Sequence, residues 1–219
     1  MRIYVPGANR TGRAAWPKST DDEGLYVSFA PDSPVEQRAT LLGQLRTTEP
    51  GTVIAHSLGA APTLLAIAAG TLRPARLVLV EPALFDLIRG TASVEEHIAV
   101  MTRARKKAAE GDLFGYWALV KPRLFGGPAL AADWPQDEPH ARRFSTLPPP
   151  WGHDISPDLI EALPTLVLSG GWNEHYEAVA EVLARQGAGH RILPGSGHRA
   201  QDDPGFEALI ASFEQLTAG

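Results

Sequence analysis

The chain has 219 residues, 44% of them hydrophobic, and a formal net charge of −5; it can bury one substantial core, and it offers no basic field to a polyanion, which excludes nucleic acid as an expected partner. The absence of cysteine excludes a disulfide frame or a thiolate zinc site and fits a reducing compartment. No basic-then-apolar leader opens the sequence and no apolar run reaches about 18 residues, so a soluble, cytoplasmic protein with no membrane partner is expected.

Along the chain, short apolar and β-branched runs bounded by turn residues mark buried strands. The first, Arg2 to Val5, ends in Pro6-Gly7-Ala8-Asn9, and Leu25 to Phe29 predicts the second. A helix-like segment follows over Pro34 to Thr47. Thr52 to Ala55 is the third strand, which passes through His56 and Ser57 into a strong helix-former run, Leu58 to Ala69, stopped by Gly70. Arg76 to Val80 is the fourth strand and runs into Glu81-Pro82-Ala83.

The alternation then breaks. From Ala83 to Leu163 there is no strand signature, only helix-like pieces, aromatics (Phe114, Tyr116, Trp117, Trp134, Trp151) and the prolines Pro148 to Pro150. A structureless loop of that size is improbable inside a compact domain, so residues 83–157 are expected to form a helical insertion, with 1–82 and 158–219 as the core of a single domain. Its aromatics would line an apolar pocket or form a small core of their own. Arg103 to Lys107, flanked by glutamates, reads as a solvated helix face. Pro164 to Leu168 and His190 to Leu193 are the last strands; Glu177 to Gln186 and Gly205 to Thr217 are the last helices. Alternating strands and helices predict an α/β fold, a mainly parallel six-stranded sheet with helices on both faces and functional groups at the carboxyl ends of its strands.

Three of those strand ends carry chemistry. A strand that turns straight into a helix at Ser57 forces the serine into strained backbone, with Ala55 and Gly59 small because strand and helix pass close together. The exposed hydroxyl then shares its space with the Leu58 N–H. A serine before a helix is often merely an N-cap; the far end of the chain argues otherwise. There the loop Pro194-Gly195-Ser196-Gly197-His198 can lay an imidazole over the same sheet edge, where His198 would serve as general base near pH 7. After the first strand, Gly7 permits a tight turn that aims the Ala8 N–H at the same space. Two such donors, Ala8 and Leu58, form an oxyanion hole.

These residues resemble the α/β-hydrolase superfamily across nearly the whole chain. Ala55-His56-Ser57-Leu58-Gly59 is similar to that family's nucleophile elbow, G-x-S-x-G, with Ala for the first Gly; Val5-Pro6-Gly7-Ala8 resembles its oxyanion loop, Gly195-Ser196-Gly197-His198 its histidine loop, and the 83–163 interval its cap. The sequence begins at what resembles the family's third strand, which implies a trimmed core without the first two. By the same resemblance the triad acid should follow the strand after the cap, but the turn reads Gly170-Gly171-Trp172-Asn173-Glu174 and places Asn173 there. Loss of that negative charge costs about 10⁴ in rate in the serine proteases. The acid is then Glu174, shifted by one residue, or Glu81 at the end of the strand before the cap, an arrangement similar to that of pancreatic-type lipases. Glu81 is favoured.

The expected function is hydrolysis of a small carboxylic ester, thioester or lactone through an acyl-enzyme on Ser57, with His198 and Glu81 completing the triad. The alternatives are a catalytically weak ligand-binding protein on the same scaffold, and C–C hydrolysis or cofactor-free peroxidation. No cofactor is implied and no histidine spacing suggests a metal; His56 and His175 would stand near the entrance, the remaining histidines on the surface.

Overall fold

The computed structural model describes residues 1–8, 10–45 and 51–218. Among them, strands β1 (Arg2–Val5), β2 (Leu25–Tyr26), β3 (Thr52–His56), β4 (Arg76–Val80), β5 (Thr165–Ser169) and β6 (Gly189–Ile192) form one sheet in the order β2-β1-β3-β4-β5-β6. Every neighbouring pair is parallel. The helices are α1 (Val35–Gly43), α2 (Ala60–Ala68), α3 (Ala92–Ala109), α4 (Leu113–Leu124), α5 (Trp134–Ser145), α6 (Glu174–Arg185) and α7 (Phe206–Leu216).

Strand register explains the continuous apolar runs. Tyr4, Ile54, Val78 and Leu166 stand side by side across β1, β3, β4 and β5, on the face where Trp16 and the α7 residues Phe206 and Ile210 complete a buried cluster. Their chain neighbours Val53, Leu77, Leu79 and Val167 point to the opposite face by the two-residue period and are buried as well. A sheet covered on both faces is the ordinary reason for parallel pairing.

Several boundaries differ from the sequence reading by one to four residues, among them the end of α1 at Gly43, and two of the shifts have a local cause. β2 stops at Tyr26 because Pro6, next along β1, has no N–H to give: the Val27 N–H still reaches the Tyr4 carbonyl at 2.9 Å, and the Val27 carbonyl takes the Gly12 N–H at 3.0 Å instead. α6 starts three residues earlier than expected because Asn173 caps it, its Oδ1 accepting the His175 N–H at 2.9 Å. Arg46, Thr47 and Asn9, the tail of the predicted helix Pro34 to Thr47 and the last residue of the predicted first turn, lie outside the described residues.

The order of strands matters for function. β1 is flanked by β2 on one side and β3 on the other, so the chain changes direction across the sheet between β1 and β3. A crevice opens at the carboxyl ends of strands at such a switch point. Gly7 and Ala8 follow β1 directly, and Ser57 follows β3.

The chain divides into two compact units, Met1–Ile88 with Pro148–Gly219, and Arg89–Leu147. The second, inserted between β4 and β5, is narrower than the 83–157 interval and contains α3, α4 and α5. Its aromatics pack mainly on one another: Tyr116 and Trp117 are buried, Trp117 packs against the exposed Phe125 and against Phe144, and the exposed Phe114 meets Trp134 edge-on at 5.2 Å. The basic run is not uniformly solvated either, since the half-buried Arg105 guanidinium donates to the Leu147 carbonyl. Among the described residues no helix is long and apolar enough to cross a membrane.

Backbone crowding at the start of α2 yields a stability test. A Cβ on Gly59 would lie 2.6 Å from the Pro6 carbonyl oxygen and 3.0 Å from that of Val5, whereas one on Gly189 meets nothing closer than 3.4 Å. Gly59→Ala should therefore cost about 1–3 kcal/mol in urea denaturation, and Gly189→Ala should be close to neutral.

Candidate active site

β3 ends at His56 and the backbone turns at once. Ser57 has φ +52°, a left-handed conformation that costs a non-glycine residue about 1–3 kcal/mol and persists only where its surroundings enforce it. The surroundings do so here. Gly59 passes against the Val5 and Pro6 carbonyls, a Cβ on Gly7 would lie 2.9 Å from the Ser57 Cβ, and the Ala83 N–H donates to the Ser57 carbonyl at 3.2 Å. These contacts bring the Gly7–Ala8 segment beside the serine. Leu58 follows it in the 3-10 turn Ser57–Gly59 that opens into α2.

His198 arrives from the other end of the chain. Its loop uses left-handed backbone at Gly195 (φ +85°) and Gly197 (φ +54°), and it presses on Gly170 so closely that a Cβ there would overlap the Gly197 carbonyl. His198 Nε2 lies 2.9 Å from Ser57 Oγ, and its side chain stays 35% exposed. Behind it, the Glu81 carboxylate is fully buried with Oε2 at 3.5 Å from His198 Nδ1. A carboxylate facing Nδ1 draws the ring proton to that nitrogen and leaves the Nε2 lone pair free to accept the Ser57 O–H.

A buried carboxylate needs donors. The Gly170 N–H donates to Glu81 Oε1, and the Trp172 indole N–H donates to Oε2 at 2.9 Å. Glu81, like Ser57, sits immediately after its strand in left-handed backbone, at φ +47°, with its own N–H given to the Leu168 carbonyl at 2.8 Å. The structure thus brings Ser57, His198 and Glu81 together, with Ala8 and Leu58 adjacent. The two residues on the other candidate acid turn are employed differently. The Asn173 side chain caps α6; Glu174 is exposed in the first helical turn, 3.7 Å from His175 Nε2, where the helix dipole favours a negative charge.

Sequence reasoning missed three contributors. His56 was expected near the entrance but is buried, its Nε2 2.9 Å from the His198 carbonyl; because a carbonyl only accepts, this nitrogen carries the proton and pins the backbone of the loop. Of the histidines expected at the surface, His97 is buried as well, and His153 is half-buried. Tyr176, on the first turn of α6, places its ring 5.0 Å from that of His198, 5.7 Å from Trp172 and 5.8 Å from Phe85. Finally, His190, Ser169 and Glu177 form a relay beside the Gly170 turn: His190 Nε2 is 2.8 Å from Ser169 Oγ, which donates to Glu177 Oε2, while Glu177 Oε1 accepts the Gly171 N–H at 3.0 Å. That relay fixes the turn that holds Glu81. The sequence signal for Tyr176 and Trp172 is their closeness to Asn173.

A family model described as the alpha/beta hydrolase family matches residues 7–209. The chain belongs to that family. A search of curated proteins finds no match. Among solved structures it is similar to NosK from Streptomyces actuosus at 20% identity and a TM-score of 0.60, covering 100% of this chain and 99% of that one. MenH from S. aureus aligns at 15% identity and TM-score 0.62, over 100% and 94% of the two chains. Human thioesterase 2 aligns at 15% identity and TM-score 0.56, over 100% and 97%. At such identities the likeness to these α/β-hydrolase structures is one of fold.

Two measurements probe this frame. Burial, and after it the charge of His198, pushes the His56 pKa well below 6.5; the unfolded chain therefore binds a proton near pH 6.5 that the folded chain refuses. Stability should be lost as pH falls below about 6.5, by up to about 1.4 kcal/mol per pH unit from this group, and the slope should flatten in His56→Gln. Asn173→Ala should cost about 1 kcal/mol through the lost α6 cap, and Asn173→Asp should retain the cap, both read from the denaturation midpoint.

Proposed function

We propose that this protein is a serine hydrolase that cleaves a small carboxylic ester, thioester or lactone through an acyl-enzyme on Ser57. The observation that carries the proposal is the line Ser57 Oγ to His198 Nε2 at 2.9 Å and His198 Nδ1 to Glu81 Oε2 at 3.5 Å, ending in a buried carboxylate. His198 takes the serine proton as Oγ attacks the carbonyl carbon, then gives it to the departing oxygen or sulfur. Water, deprotonated by the same imidazole, releases the acid and restores Ser57. Glu81 orients the imidazole and stabilises its charged form, and the N–H groups of Ala8 and Leu58 bind the oxyanion. Each such donor is worth roughly 3–4 kcal/mol in serine hydrolases.

Support for catalysis over a ligand-binding scaffold comes from Glu81. The inactive reading rested on Asn173 as the triad's third member, and Asn173 caps a helix while an ionisable carboxylate stands behind His198. Support for an acyl substrate comes from a thioesterase among the structural relatives. We place the protein in the cytoplasm on its lack of cysteine.

A fluorophosphonate probe with mass spectrometry should label wild-type protein stoichiometrically at Ser57 and fail to label Ser57→Ala or His198→Ala. No labelling of folded wild-type protein would sink the proposal. In p-nitrophenyl acetate turnover, Glu81→Gln should lose at least about 10²-fold and up to about 10⁴-fold, with Glu174→Gln within about threefold of wild type.

A further inference from the structure

We propose that Trp172 is a positioning residue of the triad: its indole N–H locks Glu81 Oε2 toward His198 Nδ1 and takes up part of that oxygen's charge, which sets the pH above which His198 is free to act as base. This rests on the serine-hydrolase reading above and adds to it a residue that acts on the base through its acid.

The placement of Trp172 is the reverse of what burial alone dictates. A tryptophan ordinarily buries its ring and keeps its N–H at the wet end. Here the residue is 46% exposed, while its N–H is given at 2.9 Å to a carboxylate with no exposure at all. The backbone is fixed on both sides of it. Gly171, in left-handed backbone at φ +67°, gives its N–H to Glu177 Oε1 at 3.0 Å, and Asn173 caps α6. The indole stacks on Tyr176 at 5.7 Å and stands edge-on to the His198 imidazole at 5.8 Å. Hydrogen bonding and stacking hold it in place, with little help from burial.

The two carboxylate oxygens are treated differently. Oε1 accepts the Gly170 N–H, whereas Oε2 accepts the Trp172 N–H and is also the oxygen that faces His198 Nδ1 at 3.5 Å. With a donor on each oxygen the carboxylate cannot rotate, and Oε2 keeps a lone pair for the imidazole. Among the described residues that last hydrogen bond is not closed at rest. It closes when the Ser57 proton moves to His198 Nε2 and the ring becomes an imidazolium, whose charge the carboxylate stabilises. A donor already on Oε2 moderates that stabilisation, because a hydrogen bond to a carboxylate disperses its charge. The other groups facing the ring do not compensate. Burial keeps His56 neutral and pushes the Tyr176 phenol up, so that it too is uncharged, and the guanidinium of the adjoining Arg199 is engaged by Asp202 at 2.9 Å.

The test replaces Trp172 by benzothienylalanine, whose ring has nearly the same shape and no N–H, and uses the full chain with p-nitrophenyl acetate and a fluorophosphonate. Wild-type labelling at Ser57 is the reference; without it the hydrolase reading itself fails. With it, the pH dependence of the labelling rate and of kcat/KM reports the base of the free enzyme. In the variant the acid limb of both profiles should lie at least about half a pH unit above that of wild type, because a carboxylate with one donor fewer holds the imidazolium to a higher pH. KM should stay within about threefold. A limb that moves by less, or to lower pH, overturns the inference and leaves the hydrolase reading standing, since an indole that serves only as packing is replaced by its isostere without effect. The displacement must also pass through Glu81. In Glu81→Gln the same replacement should leave the limb of the labelling rate where Glu81→Gln alone puts it, and a displacement there overturns the inference as well.

Discussion

The crowding of two glycines around Ser57 is the constraint on which the rest of the site depends. Gly7 leaves no room for a Cβ against the Ser57 side chain, and Gly59 none against the Val5 and Pro6 carbonyls. The backbone can therefore turn at the end of β3 in a left-handed conformation and enter α2 without a loop between them. The strain at Ser57 is held by the parallel pairing of β1 with β3, and it places the hydroxyl and the adjoining N–H groups at the switch point of the sheet. Local unfavourable geometry maintained by a rigid scaffold is a recurring property of reactive sites.

Glu81 repeats the same device one strand away. It too leaves its strand at once in left-handed backbone, and it presents a carboxylate where water cannot reach it. The cost of that burial is offset by the Gly170 and Trp172 donors, themselves steadied by Glu177, Ser169 and His190. His198 is thus constrained from three directions: its Nδ1 by Glu81, its carbonyl by the neutral His56, and its loop by the bare Gly170 backbone. An imidazole held this way has little conformational freedom left to lose.

The two aromatic neighbours of this arrangement, Trp172 and Tyr176, share a turn with Asn173. With Asn173 engaged as the cap of α6, its neighbours take other places: Trp172 holds the carboxylate, the Tyr176 ring lies against the imidazole, and Glu174 remains at the helix surface. In the inserted unit Arg89–Leu147 the buried aromatics are Tyr116 and Trp117, which give its helices a small core of their own.

The sequence by itself determined the α/β class, all six strand positions to within a few residues, the serine turn, the histidine loop and the glycines that make both possible. These are local properties: β-branched runs, turn residues and helix formers act over a few positions and are legible from neighbours alone. Tertiary structure decided which carboxylate stands behind His198, because the sequence favours Glu81 over Glu174 without separating their surroundings, a buried pair of donors for one and open solvent for the other. It also decided the burial of His56, the end of β2 at Tyr26, and the approach of the Tyr176 ring to His198. Each of these depends on contacts between segments far apart in the chain, whose side chains meet only when the sheet order and register are set.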